Sequence, residues 1–317
     1  MPRRSASKKN APVAVPAPAP VADPASSPVE KGGAHHHYVV GIGASAGGLE
    51  ALTSLVSNLR KGAGMSYVVV QHLSSSYKSM LPQLLGRETA LPVIEAVDGQ
   101  APVPDTIYIT PPNRNVVLRD GILQLIESPR EISPKPSVNL FLSSLAEERK
   151  EDAIGIILSG TGSDGSSGVR AIKAGGGFNF AQDPRSARYD GMPQSAIDTG
   201  CVDWIQTPEE IANELARLAE ARPVLPSADV QELPLSALKR LLAKVRTRTK
   251  LDFSGYKEAT LWRRVERRLF ANRKSTLDAY VEFVEEHPEE LDHLARDILI
   301  SVTSFFRDRE SFAVLEE

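Results

Sequence analysis

The chain has 317 residues, with 37 Lys and Arg against 40 Asp and Glu and a net charge of −3. That balance excludes a protein that binds nucleic acid through bulk positive charge, and equally a strongly acidic, disordered one. The single cysteine, Cys201, cannot form an internal disulfide, and with neither a bilayer-length apolar run nor a signal-peptide core the default compartment is the cytosol.

Residues 1–36 open on Arg3, Arg4, Lys8 and Lys9 and continue as "APVAVPAPAPVADPASSPVE", too broken by proline for a helix or a ladder strand. The expectation is a disordered arm. Its closing His35, with His36 and His37, lacks any suitably spaced Cys or further His, so no metal site is assigned. From 37 to 221 short β-branched runs alternate with helical stretches. "YVVGIG", "SYVVVQ", "TIYIT" and "AIGIILSG" read as strands, with helices after the first, second and last. This predicts an α/β domain built on a doubly wound, mostly parallel sheet. A proline-bearing stretch at 222–234 reads as a linker. From 235 to 317 the residues are mostly helix formers, with apolar positions such as Leu261, Val265 and Leu269 at helical spacing. A small all-α domain is expected there. The chain stops in "SFAVLEE", inside a helical pattern, which predicts a piece of something longer.

The stretch "VVGIGASAGG" poses the first chemical question. Gly41, Gly43 and Ala46 satisfy the dinucleotide pattern G-x-G-x-x-A after a strand, in which glycines admit a pyrophosphate to a helix start. That pattern also wants an acidic residue at the end of the second strand, about 20 residues on, to hold a ribose hydroxyl. Gln71 and His72 stand there instead, which argues against a nucleotide site.

Ser45 and His72 both follow strand ends, and the strand "AIGIILSG" runs into a loop carrying Asp164. In an open parallel sheet the ligand crevice lies outside these carboxyl ends. A hydroxyl nucleophile, an imidazole that takes its proton and a carboxylate that orients the imidazole are what acyl transfer needs. Each residue has a plainer use: Ser45 as a helix cap, His72 as a loop histidine, Asp164 as an Asp-Gly turn. Their coincidence at one sheet edge favours catalysis. Cys201, in "TGCVDW", reads as a small buried hydrophobe.

The motifs "GIGASAGGLEAL", "VVVQHLSSSYKSMLPQLLGRET", "IYITPPNRNVVL", "PSVNLFLSSLAEE", "ILSGTGSDGSSGVRAIKAGGG" and "AQDPRSARYDGMPQSAIDTGCVDWI" together resemble the catalytic domain of the chemotaxis receptor methylesterases, CheB type. The resemblance implies hydrolysis of glutamyl methyl esters on methyl-accepting chemoreceptors or similar glutamate-rich proteins, with deamidation of receptor glutamines. It casts Ser45 as nucleophile, His72 as base and Asp164 as its orienter, with oxyanion donors among the backbone amides near His72 and of Gly160, Thr161 and Gly162. It implies no cofactor for the esterase. Ala46 and Thr161 stand where the stand-alone enzymes usually have Thr and Met, a variation that resembles methylesterase–methyltransferase fusion proteins. No counterpart of the receiver domain that usually precedes this esterase is visible.

"DFSGYKEATLWRRVERRL" and "LARDILISVTSFFRDRESF" resemble the N-terminal helical domain of the chemoreceptor glutamate methyltransferases, CheR type. By that resemblance Thr303 and Arg307 belong to the start of an S-adenosylmethionine site. Ser301 stands where that family usually has Asn. The methyltransferase domain proper would follow Glu317, so this chain alone is expected neither to bind the cofactor well nor to methylate. Arg263, Arg264, Arg267 and Arg268, continued by Arg273 and Lys274, make one basic helix and its exit. The plain reading is a solvated face. The functional one is a contact with an acidic receptor surface. No nucleic acid and no membrane insertion are expected. The alternative to an enzyme is a sensor or scaffold whose pocket binds a receptor without turnover.

Overall fold

A computed structural model of the protein describes residues 37–72, 80–127, 136–221 and 235–299. The arm, the linker and the stretch from 300, with Ser301, Thr303 and Arg307, lie outside the described residues.

In chain order the strands are β1 (Val39–Ala44), β2 (Ser66–Gln71), β3 (Val93–Glu95), β4 (Thr106–Ile109), β5 (Arg114–Arg119), β6 (Ile122–Glu127), β7 (Ala153–Ile157), β8 (Phe178–Gln182) and β9 (Trp204–Gln206). Around them run helices α1 (Gly48–Asn58), α2 (Leu81–Leu85), α3 (Val138–Arg149), α4 (Ser166–Gly175), α5 (Gly191–Ile197) and α6 (Pro208–Ala221). Seven strands form one sheet in the order β3-β4-β2-β1-β7-β8-β9, with every neighbouring pair parallel. The chain builds outward from β1 to one side, then returns through β7 to the other. The sheet therefore has its topological switch between β1 and β7, where a doubly wound fold opens its crevice.

β1 is buried along its whole length, as a strand covered on both faces must be. Val40, Ile42 and Ala44 pack on one side with Leu52 and Leu55 of α1 and Ile211 and Leu215 of α6. Val39 turns the other way, toward Val138, Phe141 and Leu142 of α3. On that face Gly41 and Gly43 let α3 lie directly on the strand. A Cβ at Gly41 would come within 2.6 Å of Leu142 and 2.8 Å of Phe141, and one at Gly43 within 3.0 Å of Val138 Cγ2. The glycines of the dinucleotide-like pattern thus serve helix-on-strand packing inside β1, and the nucleotide reading loses its footing.

A two-stranded antiparallel hairpin, β5–β6, was absent from the strand pattern read in the sequence. Its turn is Asp120-Gly121, both with positive φ (51° and 76°), the backbone that a two-residue turn between right-twisted strands requires. An Asp-Gly pair between "NVVL" and "ILQLI" is the local signal for it. The hairpin positions α3: Asn115 Oδ1 accepts the Ser137 N–H at 2.8 Å, just before the helix begins.

Beyond the linker lie α7 (Leu235–Thr249), α8 (Glu258–Ala271), α9 (Leu277–Glu286) and α10 (Glu290–Leu299). They share a core of Leu241, Val245, Leu261, Val265, Tyr280, Leu294 and Ile298. The all-α segment expected from 235 is thus helical through residue 299, and Leu261, Val265 and Leu269 lie buried on one face of α8.

The opposite face of α8 corrects the sequence reading. Arg264, Arg267 and Arg268 are only 8%, 4% and 9% exposed, whereas Arg263 is exposed. Arg264 donates to the carbonyls of Lys173 (3.2 Å) and Ala174 (2.9 Å), and Arg267 Nε to that of Gly177 (2.9 Å). These carbonyls lie at and just beyond the C-terminal end of α4, where the helix dipole favours a cation. Arg267 also pairs with Asp203 and, at 2.6 Å, with Asp297, while Lys173 bridges the same two carboxylates at 2.9 and 2.7 Å. Arg268 grips Glu290 through two bonds of 2.6 Å. Burial opposes the charge on Asp297, yet Arg267, Lys173 and Arg268 hold its carboxyl down at about 2. Phe270 extends the seam, its ring 5.5 Å from Phe178 and 6.2 Å from Trp204. Three of the four arginines assigned to an acidic receptor therefore fasten α8 inside the chain, because a buried guanidinium needs acceptors: the end of α4 and the segment after it supply them to Arg264 and Arg267, and Glu290 of α10 supplies them to Arg268.

Removing one partner from a buried ion network leaves the others uncompensated. Arg267→Ala is expected to lower stability by roughly 3 kcal/mol or more. Arg263→Ala, on the exposed side, should stay within about 0.5 kcal/mol of the parent. Denaturant midpoints of the two variants measure the contrast.

Candidate active site

Ser45 is the first residue after β1, and its N–H donates to Ser159 O, beyond β7, at 3.0 Å. It therefore sits at the switch point itself. The turn Ser45-Ala46-Gly47 leads into α1, with Gly47 in the left-handed region at φ 69° as the residue before the helix. A Cβ there would lie 2.8 Å from Ser159 Oγ and 2.9 Å from Arg188 Cβ, so both conformation and space call for glycine.

His72 is the first residue after β2, its backbone N–H bonded to Ala44 O at 3.0 Å. Its ring bridges two groups. Nδ1 lies 3.1 Å from Ser45 Oγ, and Nε2 lies 2.9 Å from Asp164 Oδ2. An ionised carboxylate only accepts, so Nε2 carries the proton toward Asp164, and Nδ1 accepts from the serine hydroxyl. One tautomer satisfies both bonds. The His72 and Asp164 side chains are 11% and 7% exposed, so the chain of bonds is largely shielded from water.

Asp164 is held from a second direction. Val138 N–H donates to Oδ2 at 2.8 Å, Asn139 N–H to Oδ1 at 2.9 Å, and Ser137 Oγ lies 3.5 Å from Oδ1. The carboxylate thus occupies the N-terminus of α3, where unpaired N–H groups and the helix dipole stabilise an anion. Burial is the largest single influence on its ionisation and works against the charge. The hydrogen bonds from His72, Asn139 and Val138 together outweigh it and hold the carboxyl below its ordinary value. The sequence reading missed the α3 amides, whose signal is only a Ser-x-x helix start distant in the chain.

The Gly160-Thr161-Gly162 loop borders the serine: a Cβ at Gly160 would lie 2.8 Å from Ser45 Cβ and would collide with Met192 Sδ. Its three amides are not equivalent. Gly160 N–H donates to Tyr189 O at 2.9 Å, and Met192 N–H to Gly160 O at 2.8 Å, so Gly160 is removed from the list of oxyanion donors. Among the described residues no acceptor takes the N–H of Thr161 or of Gly162, and both residues are exposed. The amide of His72 is likewise engaged, and residues 73–79 lie outside the described residues.

Of the other candidates, Cys201 is buried at 5% exposure in the sheet's second core. His37 bonds Ser66 Oγ at 2.6 Å. Arg264 and Arg267 meet Gly177 and its neighbours just before β8, the sheet edge opposite the one that carries Ser45 and His72. No helix among the described residues is long and apolar enough to cross a membrane.

Against known proteins, the sequence profile described as CheB methylesterase matches residues 40–215. The chain belongs to the CheB methylesterase family. A second profile, the all-alpha domain of the CheR methyltransferases, matches residues 236–299. The crystal structure of the Thermotoga maritima CheB methylesterase catalytic domain superposes with a TM-score of 0.55 at 32% identity, covering 57% of this chain and 98% of that one. A Rhodobacter capsulatus protein described as an uncharacterized 104.1 kDa protein is 35% identical over 260 residues, 75% of this chain and 27% of its own length. Protein-glutamate methylesterase/protein-glutamine glutaminase 3 of Pseudomonas aeruginosa is 34% identical over 192 residues, 60% of this chain and 57% of its own. The chain thus spans between about a quarter and just over half of these two relatives.

The lowered ionisation of Asp164 has a pH signature. Because its folded value lies below the unfolded one, the carboxylate's contribution is present above the unfolded value, roughly pH 4, and is lost as pH falls through the folded value. The stability difference between the parent and Asp164→Asn should therefore be largest above roughly pH 5 and shrink toward pH 2. Urea unfolding across that range measures it, and a difference independent of pH would contradict the assignment.

Proposed function

We propose that the protein is a serine esterase that hydrolyses glutamyl methyl esters on a methyl-accepting chemoreceptor or a similar glutamate-rich signalling protein, and deamidates glutamines at such sites. The observation that carries this reading is the unbroken chain Ser45 Oγ to His72 Nδ1 and His72 Nε2 to Asp164, at the mouth of a doubly wound sheet. Membership of the CheB methylesterase family and the names of its relatives supply the substrate class.

In this mechanism Ser45 Oγ attacks the ester carbonyl while its proton passes to His72 Nδ1. Asp164, fixed by the α3 amides, stabilises the imidazolium through Nε2–H. The tetrahedral oxyanion is met by the N–H groups of Thr161 and Gly162. As the intermediate collapses, the C–O bond to methoxide breaks and His72 returns the proton, releasing methanol and leaving Ser45 acylated by the glutamyl group. A water then attacks the acyl-enzyme, its proton taken by His72 and returned to Ser45 Oγ, and the glutamate carboxylate departs. With a glutamine the leaving group is ammonia. No cofactor enters. The resemblance that gives Thr303 and Arg307 to S-adenosylmethionine concerns residues outside those described, and of the four arginines within α8 only Arg263 is exposed to meet an acidic surface.

Methanol release from a methylated chemoreceptor cytoplasmic fragment tests the reading. Ser45→Ala should lower release by ~10,000-fold or more with the fold intact. Gly160→Ala, whose new methyl would press on Ser45 Cβ and Met192, should cost on the order of 100-fold. Equal release by the parent and Ser45→Ala would remove Ser45 as nucleophile. No release from several receptors by a folded parent would leave a binding module.

A further inference from the structure

The α3 amides hold the carboxylate of Asp164, but its backbone belongs to a different element. Asp164 ends the exposed stretch Thr161-Gly162-Ser163 and is followed by Gly165, at φ 105°, from which α4 starts. Glycine as the residue before a helix offers no side-chain oxygen, and α4 has no cap bond of its own. Ser166 Oγ, a local hydroxyl, is buried and has no hydrogen-bond partner among the described residues.

The missing cap comes from α3. Asn139 Oδ1 accepts from the N–H groups of Gly165, Ser167 and Gly168 at 2.9, 2.9 and 3.0 Å. The same residue donates its own backbone N–H to Asp164 Oδ1. The two helix starts are therefore interlocked: Asp164 serves the first turn of α3, and Asn139 serves the first turn of α4.

We infer that Asn139 is a positioning residue for the nucleophile of this site: its amide oxygen anchors the start of α4, and thereby the Asp164 carboxylate that orients His72 toward Ser45. The inference rests on the esterase reading given above. The hydrogen bonds of Asn139 go to Asp164 and to the start of α4 and not to Ser45 or His72, so its effect on the nucleophile travels through Asp164. The device is separable by mutation, because Asn139→Ala removes the acceptor and keeps the N–H that Asp164 uses.

The test uses the full chain with Asn139→Ala, Asn139→Asp and Asn139→Ser, and two readouts besides thermal unfolding. One is the rate at which a fluorophosphonate probe labels Ser45; the other is methanol release from the methylated receptor fragment. Expected for Asn139→Ala is a tenfold or greater fall in labelling rate and in kcat, with KM within about twofold. Asn139→Asp, which restores an oxygen acceptor on the same atoms, should recover labelling to within about threefold. If Asn139→Ala does not fold, the comparison of Asn139→Asp with the shorter Asn139→Ser replaces it, the serine being the slower. Labelling by a folded Asn139→Ala at the parent rate would overturn the inference, as would equal impairment of the alanine and aspartate variants. A parent labelled at Ser45, sensitive to position 139 and unable to release methanol, would instead sink the proposed substrate and keep the positioning role. A folded parent with neither labelling nor hydrolysis would overturn both.

Discussion

A carboxylate shielded from water must find hydrogen bonds or lose its charge, and the arrangement around Asp164 is the solution on which the rest of this molecule depends. Its oxygens take two backbone N–H groups of α3 and the imidazole of His72. To hold those amides in place the start of α3 must be fixed, and β5 does this through Asn115. To bring α3 close enough, β1 must carry no side chain at the two positions after Val39 on that face, which is why they are Gly41 and Gly43. A requirement of one ionised group thus reaches back into the central strand and out to a hairpin beside the sheet.

The imidazole is oriented with Nδ1 toward the Ser45 hydroxyl and Nε2 toward the Asp164 carboxylate, the reverse of the Ser-His-Asp template in which Nε2 faces the serine. The chemistry is indifferent to this exchange, since either nitrogen accepts a proton when the other carries one. What changes is the geometry the protein must supply. With Nε2 pointing inward, the acid has to stand at the far end of the ring. A loop after β7 that turns back onto the N-terminus of another helix puts it there.

Much of this was legible in the sequence, and the boundary of what was legible follows the range of the interactions. β1, β2, β4 and β7 announce themselves by β-branched runs, and the apolar spacing of α7 to α10 by period. Ser45 and His72 could be read because each follows directly from a strand end. Asp164 lies seven residues beyond β7, and its loop leaves from the same sheet edge as Ser45 and His72. The role of the α3 amides was not legible, since backbone N–H groups have no letter in a sequence. The arginines of α8 show the complementary limit. Periodicity marks a polar face, but whether water or α4 covers it is decided by Lys173, Asp203 and Gly177, about 60 to 90 residues upstream.

The α8 seam bears on how such proteins are divided. One family profile ends at residue 215 and the next begins at 236, yet Arg264, Arg267 and Phe270 of the second reach into α4, β8 and β9 of the first. The unit that evolution shuffles and the unit that physics holds together need not coincide. Here a segment matched by its own family profile is tied to its neighbour by ionic and aromatic contacts. Cutting between the two profiles would bring the buried side chains of Phe178, Lys173 and Asp203 to the surface and uncover the half-buried Trp204 further, giving the excised esterase a sticky, charged flank that the intact chain largely covers.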